Sequence, residues 1–351
     1  MVKLKRRKME QSCAIFALIA VCFNPSAFAQ EYIRNLEPAP DSAEELKGPI
    51  EVAFSEPEPP LPVLLKKTKK SLGKYPPFIA DMRLDLNSRS YYFLRDLDSN
   101  IITMSEALAT GGSIRIESGW AWDRVSVGAE YFGSFHVAGP DSRPGSGLLK
   151  PIQQSFDVLG QAFIRLRHNN QVLTIGRQRY DLPYLNSNDG RMVPYTFEGY
   201  SIDGRWRHGR FFAGYVRKIK LRPLDKFIFL SNVAGVPNSN EGSYVLGIRY
   251  EKERGFIGAI ASVVPDVFST VYSELGYSWS GDKWSCRIGG QFTDQRSIGE
   301  ELLAGESFDT QAVGVRFAAS YQKAVMTAAF SIVSDDRRIE IPLGALPFSL
   351  R

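Results

Sequence analysis

Between residues 165 and 198 the chain carries Arg165, Arg167, Arg177, Arg179, Asp189, Arg191 and Glu198 on or beside short amphipathic segments. Turned toward a narrow, water-filled passage, such charges replace part of the hydration that a solute loses on entering, and rings of charged side chains select solutes in this way. The chemistry is electrostatic and makes no covalent bond. Arg165 and Arg167 share a period-two face with Asp157 and Gln161, which favours one lumenal cluster. The strand that carries Arg177 and Arg179 is less clean, because turning both inward also turns Leu173 and Ile175 inward. Arginine facing lipid at mid-membrane would cost about 2–4 kcal/mol, so a bulge or burial against a loop is expected there. For each arginine the competing reading is a structural tie to a loop carboxylate.

Other chemistries fare worse. His136, His168 and His208 sit on or beside strand ends, and an outer-membrane lipase needs a serine and a histidine brought together on one wall. Ser134 beside His136 has the wrong local signature for that. Cys286 is the only cysteine beyond residue 29, so it can form neither an internal disulfide nor a zinc site by itself once the leader is removed. No catalytic residue, cofactor or metal is expected.

The elements that would position these charges are about thirteen amphipathic β-segments from Asp81 to Val333. Lipid leaves no backbone group to pair except with the next strand, so segments near 10 residues with one apolar and one polar face suit a closed membrane barrel. The fold class read here is all-β, a transmembrane antiparallel β-barrel. Short links fall at 122–124, 168–170, 207–209, 252–254, 280–282 and 322–323. Longer ones fall near 96–110, 138–156, 181–196, 222–242 and 294–310, with a brief one at Pro265-Asp266. Outer-membrane barrels have short periplasmic turns and long outer loops, which places the N-terminus inside. The alternation is clearest where Trp284, Cys286, Ile288, Gly290 and Phe292 form the lipid set and Ser285, Arg287, Gly289, Gln291 and Thr293 the water set. The next strand repeats it, with Val313, Val315, Phe317, Ala319 and Tyr321 outward. Tyr277, Trp279 and Trp284 gather at one short turn, as an interfacial aromatic girdle would.

Lys3, Lys5, Arg6, Arg7 and Lys8, the apolar run from Cys13 to Phe23 and Ala27-Phe28-Ala29 read as a secretory signal over residues 1–29. The formal charge of +5 resides largely in that leader, and no clustered basic face supports nucleic-acid binding. Residues 31–77 hold nine of the 20 prolines, a composition that cannot bury a core. Residues 30–77 are therefore expected to form a flexible periplasmic extension and 78–351 the barrel.

The opening strand from Asp81 to Asp96 resembles that of OprD-family outer-membrane porins. So does the run Ile175-Gly176-Arg177-Gln178, Leu182-Pro183 and Asn188 through Gly199, which in that family ends a strand and forms a third outer loop folded into the barrel. The resemblance covers roughly residues 76–347. It implies an 18-stranded barrel in the bacterial outer membrane, usually monomeric, with the lipid bilayer and small solutes such as basic amino acids, peptides or carboxylates as partners. It also implies lumenal arginines that guide a carboxylate, carried here onto Arg177 and Arg191 and, outside the matched motif, Arg179. Thirteen strands is an odd number and Pro347–Arg351 lack a closing strand that ends in an aromatic residue, so a C-terminally shortened member is expected. The alternatives are a structural or adhesion barrel with a plugged lumen, or a shortened porin without function.

Overall fold

A computed structural model describes residues 66–96, 104–236, 238–301, 306–334 and 339. The expected leader, most of the extension and the C-terminal end lie outside the described residues. Thirteen strands of 8 to 14 residues follow one another: β1 Arg83–Asp96, β2 Met104–Glu117, β3 Val125–Ala138, β4 Phe156–His168, β5 Gln171–Gln178, β6 Thr196–Trp206 and β7 Gly209–Lys220. Then come β8 Ser243–Lys252, β9 Gly255–Val264, β10 Phe268–Ser280, β11 Trp284–Ser297, β12 Asp309–Tyr321 and β13 Ala324–Val333. They neighbour each other in chain order in one antiparallel sheet, and the two-residue strand Ile228–Phe229 pairs beside β7. Among the described residues β1 and β13 each pair on one side only.

The side-chain period explains the sheet. Tyr244, Leu246, Ile248 and Tyr250 of β8 are exposed and Val245 and Arg249 between them are buried. In β10 Val271, Leu275 and Tyr277 face out, and Thr270, Tyr272 and Glu274 face in. Trp284, Ile288, Phe292, Val313, Val315 and Tyr321 are exposed and Thr293 is buried, which matches the expected lipid and water sets. Every expected short turn joins two strands of this sheet.

Two link boundaries differ from expectation. Strand β2 starts at Met104, inside the anticipated 96–110 link, because Ser105, Ala107 and Ala109 are inward residues whose small size hides the alternation. The last long link shrinks to 298–308 because β11 runs on to Ser297. The end of the extension also takes form, with helices α1 Lys66–Leu72 and α2 Pro77–Ala80. Lys69 donates to the Ala80 carbonyl at 3.1 Å, and the Gly119 N–H donates to the Phe78 carbonyl at 3.0 Å. A Cβ at Gly119 would lie 2.1 Å from the Pro77 oxygen, so glycine is needed for this approach between α2 and the β2–β3 turn.

Candidate functional site

The third outer loop, residues 179–195, turns toward the inner wall. A small hairpin, Asp181–Leu182 with Leu185–Asn186, is closed through Tyr184 at φ 61°. Tyr180, Leu182, Tyr184 and Leu185 join one apolar cluster with the inward residues Phe212, Val216, Val245, Ile260 and Tyr272. The Tyr184 hydroxyl bonds Thr293 Oγ1 at 2.9 Å and its ring meets Tyr272 edge-on at 6.2 Å, so the hairpin reaches β10 and β11 from the end of β5. Farther along, Met192 and Val193 are buried with Ala107, Ala109 and Phe132 of the opposite run of strands, and with Leu148 and Leu149 of the second outer loop. Lys220 Nζ, buried at the end of β7, donates to the Pro194 carbonyl at 2.6 Å.

Burial pushes the Tyr184 phenol up to about 12, so it stays protonated and bonded to Thr293 at neutral and mildly alkaline pH. Tyr184→Phe leaves the buried Thr293 hydroxyl without this partner, which costs about 1–3 kcal/mol. The thermal midpoint of the purified protein in detergent should fall accordingly; an unchanged midpoint would mean that the hairpin does not rest on this wall.

The charges meet at the loop tip. Arg89 of β1 holds Asp189 with two bonds, at 2.5 and 2.9 Å, and donates to the Arg191 carbonyl at 3.0 Å. Arg179 lies 3.6 Å from the same carboxylate and 3.3 Å from Glu130 of β3, and Gln161 donates to the other Glu130 oxygen. Arg191 donates to the Ser146 and Gly190 carbonyls at 3.1 and 2.9 Å and stacks over Phe93 at 4.5 Å. Arg179, Asp189 and Arg191 are thus brought together with Arg89 and Glu130, which the sequence reading did not select. Arg89 had a signal: it shares a face with Tyr91 and Phe93, the partly buried residues of β1 that pack on the inner cluster. Glu130 gave none beyond the alternation of its strand.

The remaining candidates lie elsewhere. Arg165 and Arg167 face inward but nearer the periplasmic end, Arg165 paired with Glu117 beside Arg115 and Arg167 with Asp123 of the first short turn. Arg167 also stacks on Trp120 at 4.3 Å, a turn-fastening contact. A register shift leaves Gly160 unpaired against β3, and this bulge inverts the phase of β4. Gln161 therefore shares the inward face of Arg165, whereas Asp157 faces out, where Tyr131 donates to it.

Arg177 pairs in register with Ala162 and Glu198, in phase with the exposed Ile175 and Tyr200. Its Nε is 3.3 Å from Glu198 Oε2 and its guanidinium lies 4.4 Å from the Phe227 ring. The conflict in that strand is resolved by leaving Thr174 and Gln178 inward and Arg177 on the outer face near the rim. Arg177 and Glu198 are joined to each other and not to the loop-tip cluster. Ser134 donates to the Leu148 carbonyl and His136 contacts the Gly139 carbonyl, so this pair forms no serine–histidine couple with each other.

Lys150 of the second outer loop donates to Asp225 of the fourth at 2.9 Å, and this bond holds the Asp225 carboxyl below its usual range. A depressed carboxylate stabilises the fold above its ordinary value near 3.9, and the contribution is lost as pH falls through the lowered one. The two loops should thus separate only at strongly acid pH in the wild type. Asp225→Asn should show the loosened state already at neutral pH, read as faster amide exchange in residues 148–150; equal exchange in both would refute the tie.

An antiparallel sheet with apolar side chains outside, charges inside and a long loop laid across its inner wall defines a transmembrane β-barrel channel of the porin class. The chain belongs to the OprD family of outer membrane porins, whose description matches residues 76–345, and with it to the bacterial outer membrane. A search of curated proteins gives no match. Solved structures share the fold. OccK9 (OpdG) of Pseudomonas aeruginosa is 24% identical with a TM-score of 0.63, covering 74% of this chain and 70% of its own. OpdK of the same organism, solved with vanillate, is 24% identical at 0.64, covering 74% and 68%. OccAB3 of Acinetobacter baumannii is 18% identical at 0.63, covering 73% and 67%.

Proposed function

We propose that this porin is a substrate-selective diffusion channel for small solutes bearing carboxylate or amino groups, among them carboxylates, basic amino acids and peptides, and that the third outer loop forms its constriction. The observation that carries this reading is Asp189 at the loop tip, clasped by Arg89 and approached by Arg179. Three arginines, Arg89, Arg179 and Arg191, face two carboxylates, Asp189 and Glu130, leaving a local excess of one positive charge. Two unit charges about 4 Å apart interact by ~4 kcal/mol at an effective dielectric near 20 and by ~1 kcal/mol in bulk water, so a narrow lumen amplifies a small excess. A carboxylate meets the arginines and an amino group meets Asp189. The vanillate in the OpdK structure, an aromatic carboxylate, fits this class. Lys220 and Tyr184 hold the loop and leave solute contact to the tip.

The test is single-channel recording in planar bilayers. Discrete conductance steps, with a reversal potential displaced toward the anion under a salt gradient, are expected. Insertion without conductance would favour the plugged structural barrel instead.

A further inference from the structure

The outer face of the wall carries a second charged cluster that solute passage does not use. Arg177 and Lys218 flank Glu198, at 3.3 and 3.9 Å. Arg217, the residue inserted by the register shift between β6 and β7, is exposed beside them. Phe229 of the fourth outer loop lies 5.1 Å from the Arg217 guanidinium and 4.9 Å from Lys218 Nζ, and Phe227 lies against Arg177. Directly toward the membrane from this group runs an outward ladder of tyrosines: Tyr200 on Tyr215 at 5.8 Å, and Tyr215 on Tyr244 at 4.9 Å. The Tyr215 hydroxyl accepts from the Gly242 N–H at the start of β8, so its polar end points to the outer rim. Beside the ladder Ile175, the register partner of Tyr200, is exposed, and below it on the same face Leu246 is exposed.

Aromatic girdles mark the interface of a barrel, and cations on the lipid face are expensive at mid-membrane but tolerated at that level. Three cations against one carboxylate therefore sit at headgroup height on the outer side. Guanidinium and ammonium groups that are only partly neutralised by a carboxylate still have N–H donors for a phosphate, whose oxygens accept from guanidinium in fork geometry. We infer that Arg177, Arg217 and Lys218 form a binding site for the phosphate headgroup of an outer-leaflet glycolipid, with Tyr200, Tyr215 and Tyr244 lying along its sugar and acyl boundary. The bulge at Arg217 has a role in this account, since it brings a third cation to a face that strict alternation would leave with two.

The experiment uses the purified full chain in detergent and measures binding of diphosphorylated lipid A, its dephosphorylated form and inorganic phosphate by native mass spectrometry. Circular dichroism controls for folding. The wild type should retain diphosphorylated lipid A in preference to the dephosphorylated form. R217Q and K218Q should each weaken that binding roughly fivefold, the worth of one cation near a charged membrane surface. R217K should restore most of the loss, and K252Q at the periplasmic end should bind as the wild type does. Equal retention of the dephosphorylated lipid, an equal loss in K252Q, or displacement by inorganic phosphate at the lipid's own concentration would each overturn the assignment.

Discussion

A cysteine at position 190, introduced with Cys286→Ser to leave a single thiol beyond residue 29, should react slowly with a bulky impermeant reagent and should abolish most of the conductance once labelled. The site tolerates the change: a Cβ on Gly190 would come no nearer than 3.8 Å to Arg222 and 3.9 Å to Asn188, ordinary contact distances. The left-handed residue of this turn is Asn188, at φ 40°, a residue type that tolerates this region, so position 190 does not need glycine. Any block can therefore be assigned to the label. Ser142→Cys on the exposed second outer loop is the control and should react fast without block. Rapid reaction at 190 with conductance intact would place the loop tip outside the passage.

The barrel was legible because its signal is repeated. Most of the thirteen strands repeat a period of two, and adjacent strands such as β11 and β12 agree in phase across register pairs such as Phe292 with Val313. The sequence signal failed where a bulge resets the phase. Asp157 and Gln161 are four residues apart and look coaxial, yet the unpaired Gly160 puts them on opposite faces. Strand β2 opens with Ser105, Ala107 and Ala109, which are inward because the loops above need space and not because they are apolar, so hydropathy says little there.

The candidate site was half legible. Asp189, Arg179 and Arg191 share one loop and do meet. Their partners Arg89 and Glu130 are 100 and 59 residues from Asp189 in sequence, and only the pairing of β1 through β5 in one sheet, with the loop folded back over its inner face, brings them together. The motif favours Arg177 over Arg179, but the two flank Gln178, whose inward side chain donates to Tyr180. Arg177 lies on the opposite face of the strand, and Arg179 has already left it for the loop.

Replacing Arg179 and Arg191 by glutamine should change the local balance from an excess of one positive charge to an excess of one negative. The Asp189 clasp by Arg89 remains, so the loop keeps its anchor. Uptake of carboxylate solutes should then fall by about tenfold relative to neutral sugars of equal size, corresponding to ~1.4 kcal/mol, a modest share of the interaction available in a narrow lumen. Raising the salt should shrink the difference, because mobile ions screen water-exposed charges over about 10 Å at 0.1 M. Arg177→Gln, on the outer face, should leave the ratio unchanged. The liposome-swelling ratio of a monocarboxylate to a neutral sugar of equal size, compared between the wild type and R179Q/R191Q at low salt, tests the central claim most directly. The account predicts a large fall in that ratio with sugar flux preserved; equal loss of both fluxes, or no change in either, would make these arginines structural ties and contradict it.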